Sequence, residues 1–192
     1  MKIIRNVLAV VGLIAIVASA FASYKVVALE SEFNQEAPSV YMKFFNRLLA
    51  SKDPGVSLDY AVPVKAGISH DELRKSLINL AKQDNVLYTG EHPFYKQIEA
   101  RTGKPYRYIN FLSFCHPHSG QMVLDYQDAY SSFMPSRIAI VEDKAGKLWL
   151  HTMRLDLVIY GGKPLSPELK KQALKVWDTT RDMMDRAAVG DF

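Results

Sequence analysis

The chain has 192 residues, 48% of them hydrophobic and 23% charged, a composition that excludes a disordered protein and suffices for one globular domain plus an appendage. Its formal net charge of +4 comes from Lys and Arg dispersed among Asp and Glu. That excludes the clustered basic footprint of a nucleic-acid binder, so no nucleic acid is expected as a partner.

Met1-Lys2-Ile3-Ile4-Arg5-Asn6 sets two positive charges ahead of an apolar run from Val7 to Ala22. This is the pattern of an export signal, ending either in cleavage after Ala20-Phe21-Ala22 or in retention as an anchor with Lys2 and Arg5 on the cytoplasmic side. Ile3, Ile4, Val26 and Val27 lengthen the apolar stretch and favour retention. Residues 1–29 are therefore read as a signal peptide or signal anchor. The expected location is the periplasm, with the chain anchored to the inner membrane by this segment. In that oxidising compartment Cys115, the single cysteine, has no partner within the chain.

Residues 30–55 read as a connector and an amphipathic helix. Val40, Tyr41, Phe44, Phe45, Leu48 and Leu49 recur at helical spacing opposite Lys43, Asn46 and Arg47. Such a helix either packs on its own domain or lies on a membrane or partner. Asp53-Pro54-Gly55 stops it, and an α+β domain is expected over residues 56–192. There Val56, Leu58, Tyr60, Val62 and Val64 alternate as a half-buried strand. Ser69 and Glu72 form a capping box ahead of a helix with Leu73, Leu77, Leu80 and Ala81 inward.

Val86 to Thr89 reads as a short strand closed by Gly90, and Pro93 to Ala100 as a short helix ended by Thr102-Gly103-Lys104-Pro105. Tyr106 to Phe114 reads as a central strand that delivers Cys115 to a helix start at Pro117, with Ser119 as a further capping residue and the helix running to about Tyr130. Arg137 to Glu142 and Leu148 to Leu155 are strands joined by a turn at Asp143 to Lys147. Ser166-Pro167-Glu168 opens a long amphipathic helix. The order implies an α+β two-layer sandwich, with helices on one face of a mostly antiparallel sheet, preceded by an N-terminal hydrophobic helix.

The chemistry concentrates at Cys115, His116 and His118. A cysteine just before a helix N-terminus is favoured as thiolate, able to bind a soft metal, carry sulfur or attack an electrophile; the alternative is a cysteine packed as a small hydrophobe. Met122, one turn after His118, and His151 with Met153, which alternate onto one strand face, extend the set to ligands that suit copper. Copper or haem is thus the candidate cofactor, although no Cys-x-x-Cys-His haem-attachment motif is present. A hydrolase with Cys115 as nucleophile and His151 as base is a further reading. His70, His92 and the Gly161-Gly162 turn are read as structural.

The segments Asn110 to Pro117, Phe133 to Glu142 and Leu148-Trp149-Leu150 resemble the bacterial family called domain of unknown function 302, over about Leu58 to Asp156. The resemblance implies a small two-layer α+β domain, often a homodimer, with a Cys-Asn-Pro element at a strand end. Here His116 stands in place of that Asn. Ser136 stands where many members carry a second cysteine, so Cys115 lacks that partner as well.

The reading that follows is a membrane-tethered periplasmic binding or accessory module, non-catalytic, possessing a site for a small ligand or soft metal near Cys115, His116 and His118 and belonging to a homodimer or a larger membrane complex. A sulfur or redox carrier or enzyme using Cys115, and an interaction subunit without a site, are the alternatives.

Overall fold

The computed structural model describes residues 2–30 and 32–191, without the side chains of residues 2, 3, 5, 7, 8, 22 and 24–30. The side chains of Lys2, Arg5, Ala22, Val26 and Val27, on which the export reading leans, therefore lie outside the described residues. The apolar segment is helical as α1 (Lys2–Glu30). Among the described residues no helix is long and apolar enough to cross a membrane.

The chain divides into two compact units. The first comprises residues 1–42 and 156–165. It contains α1, the first turns of α2 (Ala37–Ser51) and α7 (Asp156–Tyr160), a short helix absent from the sequence reading. Within this unit the Asn34 N–H donates to the Gly162 carbonyl at 2.8 Å and the Tyr41 hydroxyl to the Gly161 carbonyl at 2.9 Å. The α2 stripe divides lengthwise. Val40 is buried and Phe44 and Leu48 are half-buried, whereas Tyr41, Phe45 and Leu49 are 50%, 50% and 60% exposed.

The second unit, residues 43–155 and 166–192, holds a five-stranded antiparallel sheet. Its strands are β1 (Asp59–Pro63), β2 (Leu87–His92), β3 (Ile109–Cys115), β4 (Ser136–Glu142) and β5 (Leu148–Met153), in the spatial order β1-β5-β4-β3-β2. The remaining helices are α3 (Pro54–Leu58), α4 (His70–Gln83), α5 (Phe94–Thr102), α6 (Pro117–Tyr126) and α8 (Pro167–Val189), with a 3-10 turn at Asp128–Phe133.

Strand alternation gives the sheet one covered and one open face. Leu112, Phe114, Ile138, Ile140 and Leu150 turn inward, against Leu73, Leu77 and Leu80 of α4 and Met183, Met184 and Ala187 of α8. This is the expected two-layer α+β architecture. The predicted capping box is present: Glu72 N–H donates to Ser69 Oγ at 3.2 Å, and Ser69 N–H to Glu72 Oε2 at 2.8 Å. The predicted hairpin is present too. Asp143 Oδ1 accepts from the Ala145 and Lys147 amides and Oδ2 accepts from Trp149 Nε1 at 3.0 Å, which holds the carboxyl below its usual pKa.

Three local expectations are corrected. Val56 and Leu58 belong to a helix, not a strand, because Asp53 caps the Gly55 and Val56 amides and Pro54 fits the first turn. Gly90 does not close β2 but lies inside it at φ +138° where the pairing register shifts, a β-bulge that glycine accommodates. The strand ending at Cys115 is not central; β4 is, with β3 beside the edge strand β2.

Candidate functional site

Cys115 closes β3 opposite Leu87 and is partly buried. Its sulfur faces α6 at Gly120, where an added Cβ would lie 3.9 Å from Sγ and 2.6 Å from Met134 Cε. His116 is the N-cap of α6 with no side-chain capping bond, and Pro117 takes the first helical position. Ser119 is no cap: it is buried and its hydroxyl donates to Gln172 Oε1 on α8 at 2.9 Å. His118 is exposed and Met122 half-buried.

His116 turns into a cavity of about 10 Å³ with Val86, Phe114, Ser136, Ile138, Thr180 and Met183. Burial, and secondarily the Lys175 ammonium, depress its pKa, against a smaller upward pull from Asp84. The folded state thus prefers the neutral ring, while the unfolded chain takes up its proton near pH ~6.5. Stability is therefore complete above that pH and falls as the pH drops from about 6.5 toward the depressed folded value. Urea midpoints measured between pH 7.5 and 5.0 should fall for the wild type and fall less for His116→Gln. Equal slopes would refute the assignment.

His151 and Met153 do share a strand face, but elsewhere. His151 pairs across the sheet with Ala139, which in turn pairs with Phe111. Cys115 lies on β3, four residues beyond Phe111 and two strands away from His151, about 17 Å at ~3.4 Å per residue and ~4.8 Å per strand. The fold does not bring Cys115 and His151 together as nucleophile and base, nor into one metal shell. Among the described residues no group of three or more His, Cys, Asp and Glu side chains is placed to hold a metal ion.

What the fold does build is a cleft of about 670 Å³ where β4 begins and β5 ends. Asp59, at the start of β1, pairs with Met153 and so stands diagonal to His151 on the open face. His151 Nδ1 and Asp59 Oδ2 are 2.7 Å apart, with the side chains 34% and 27% exposed. A carboxylate only accepts, so Nδ1 of His151 carries the proton that it donates to Asp59, and Nε2 is left facing away from Asp59. Arg154 fixes Asp59 from behind, its Nε donating to the Asp59 carbonyl and its N–H to the Leu58 carbonyl, both at 2.8 Å.

Arg137, two residues from Ala139 on β4, is exposed in the same cleft, and among the described residues no carboxylate pairs with its guanidinium. Ser136 and Thr152 add hydroxyls, the latter donating to the Arg137 carbonyl at 2.7 Å. Val56 and Leu58 of α3, Phe133, Met153 and Trp177 supply apolar wall. The arrangement is that of a ligand pocket: mostly apolar lining with a few convergent polar groups.

Sequence reasoning found His151 and Met153 but missed Asp59 and Arg137. The signal for Asp59 was its place in the alternation: Tyr60 and Val62 face the core, which puts Asp59 on the open face. Nothing local joined it to His151.

A family model described as "Domain of unknown function DUF302" matches residues 60–187. Among solved structures, the chain is similar to an uncharacterized conserved DUF302 protein from Bacillus stearothermophilus, at 16% identity and a TM-score of 0.56, over 68% of this chain and 98% of that one. That likeness is one of fold. No curated protein matches the chain. With a fold of this kind and the family model spanning β1 through most of α8, the chain belongs to the DUF302 family.

Proposed function

We propose that the protein is a small-molecule binding module whose ligand occupies the cleft around Asp59, Arg137 and His151. The observation that carries this reading is the unpaired Arg137 guanidinium beside an oriented His151 in a cleft of about 670 Å³, within the ~300–1,000 Å³ range of ligand pockets. The Cys115, His116 and His118 side chains support it less well: one packs against Gly120, one faces a cavity of about 10 Å³, and one is solvent-exposed.

The module is exported and works in the periplasm, tethered by residues 1–29. The two positive charges and apolar run at the N-terminus support this, and the exposed side of α2, with Tyr41, Phe45 and Leu49, offers an apolar surface to a membrane or a partner subunit. The binding reading is tested by chemical-shift mapping of a fragment library on residues 43–192 within the whole chain. The amides of Asp59, Arg137, Ala139, His151 and Met153 should move together with at least one fragment. A library that perturbs none of them would overturn the reading.

A further inference from the structure

We infer that the ligand carries a planar aromatic ring, which slots between Phe111 and His151 over Ala139, and a hydrogen-bond acceptor on its rim for Arg137. This rests on the cleft being the ligand site. Leu112, Ile138 and Leu150 turn inward, so their neighbours Phe111, Ala139 and His151 stand on the open face, paired in one row across β3, β4 and β5. All three line the cleft. Side chains rise roughly perpendicular to a sheet, so the two rings are the walls of a slot and the Ala139 methyl is its floor.

The width of the slot sets the shape of its occupant. Two strand spacings of ~4.8 Å put the walls about 10 Å apart. Aromatic rings meet at ~4.5–7 Å between centroids, so two contacts at the short end of that range add up to about 10 Å, room for one ring and not two. The walls are braced. Phe111 packs on Phe94 at 5.8 Å between ring centroids, and His151 is tied to Asp59 at 2.7 Å and lies 6.3 Å from the Trp149 ring. A slot held open in this way has little left to order when the ligand arrives. Stacking asks nothing of the His151 proton count, because a ring lies against imidazole and imidazolium alike.

Arg137 stands on the same face of β4, two residues from Ala139 and ~7 Å along the strand. A guanidinium donates and never accepts, so the substituent that reaches it is an acceptor, neutral or charged. Leu58, Phe133 and Trp177 keep the rest of the ligand apolar.

The test uses three uncharged probes on the whole chain, 2-acetylnaphthalene, its saturated counterpart 2-acetyldecalin, and naphthalene, with affinities measured by titration of amide chemical shifts. The aromatic ketone should bind roughly 5- to 150-fold tighter than the saturated one, the worth of two ring contacts. Its ring protons should move upfield on binding, the mark of a ring held between two others. Phe111→Leu and His151→Leu should each weaken the aromatic ketone by roughly 2- to 12-fold and leave the saturated ketone unchanged. Arg137→Ala should weaken 2-acetylnaphthalene by about tenfold and spare naphthalene.

Equal binding of the flat and saturated ketones, no upfield shift, or indifference to both Phe111→Leu and His151→Leu overturns the slot while leaving the cleft as a ligand site. Failure of all three probes in a cleft that accepts other fragments overturns it as well. Failure of every fragment overturns the cleft reading itself.

Discussion

Replacing Ile140 by alanine should lower the unfolding free energy by about 2–5 kcal/mol, the range for truncating a fully buried aliphatic side chain. Ile140 is 0% exposed in β4, the middle strand, with Asn110 and Leu150 as its neighbours in register. Its side chain is shared by the sheet and the α4 and α8 layer, and none of these can collapse into the void without breaking strand pairing on both sides. For a chain of this size each kcal/mol moves the melting temperature by ~2–4 °C, so a drop of roughly 4–20 °C is expected. The next residue is the contrast. Ala139 lies on the open face, and a small polar substitution there should stay within about 0.5 kcal/mol. A loss below about 1 kcal/mol for Ile140→Ala, by urea unfolding with an unchanged slope, would mean that β4 is not the centre of the core.

Local rules were readable in the amino-acid order because they act over a few residues. The Ser69 and Glu72 capping box, the Asp143 turn and the inward stripe of α4 each needed only neighbours in sequence, and each stands in the fold. The same reliance on local pattern misread Val56 and Leu58. Their alternation with Tyr60 fits a strand, but the Asp53 side chain satisfies two amides of a helical turn and prevails.

Strand order is a property of the assembled sheet, which is why the strand ending at Cys115 was placed at the centre and lies next to the edge. The site was legible only in halves for a related reason. His151 and Met153 could be put on one face by alternation, but Asp59 reaches His151 across 92 residues of chain. The Cys115, His116, His118 cluster looked like a site because its members are adjacent in sequence, and adjacency at a strand exit sends consecutive side chains in different directions. His116 faces the inner cavity, the Cys115 sulfur faces Gly120, and His118 meets solvent.

The substitution with the largest expected effect on binding is Ala139→Trp. Ala139 sits between Phe111 and His151 in register, half-buried on the open face and lining the cleft. An indole there would occupy the space beside His151 and Arg137 without entering the core, so the fold should persist while the ligand is excluded. The affinity of the tightest fragment for wild type, Ala139→Trp, Cys115→Ala and His118→Ala, measured side by side, tests the central claim most directly. Binding should be lost in Ala139→Trp, by roughly 100-fold or more for the full contribution of a well-seated ligand, and unchanged in the other two. Retained binding in Ala139→Trp, or its loss in Cys115→Ala or His118→Ala, would contradict the cleft as the site.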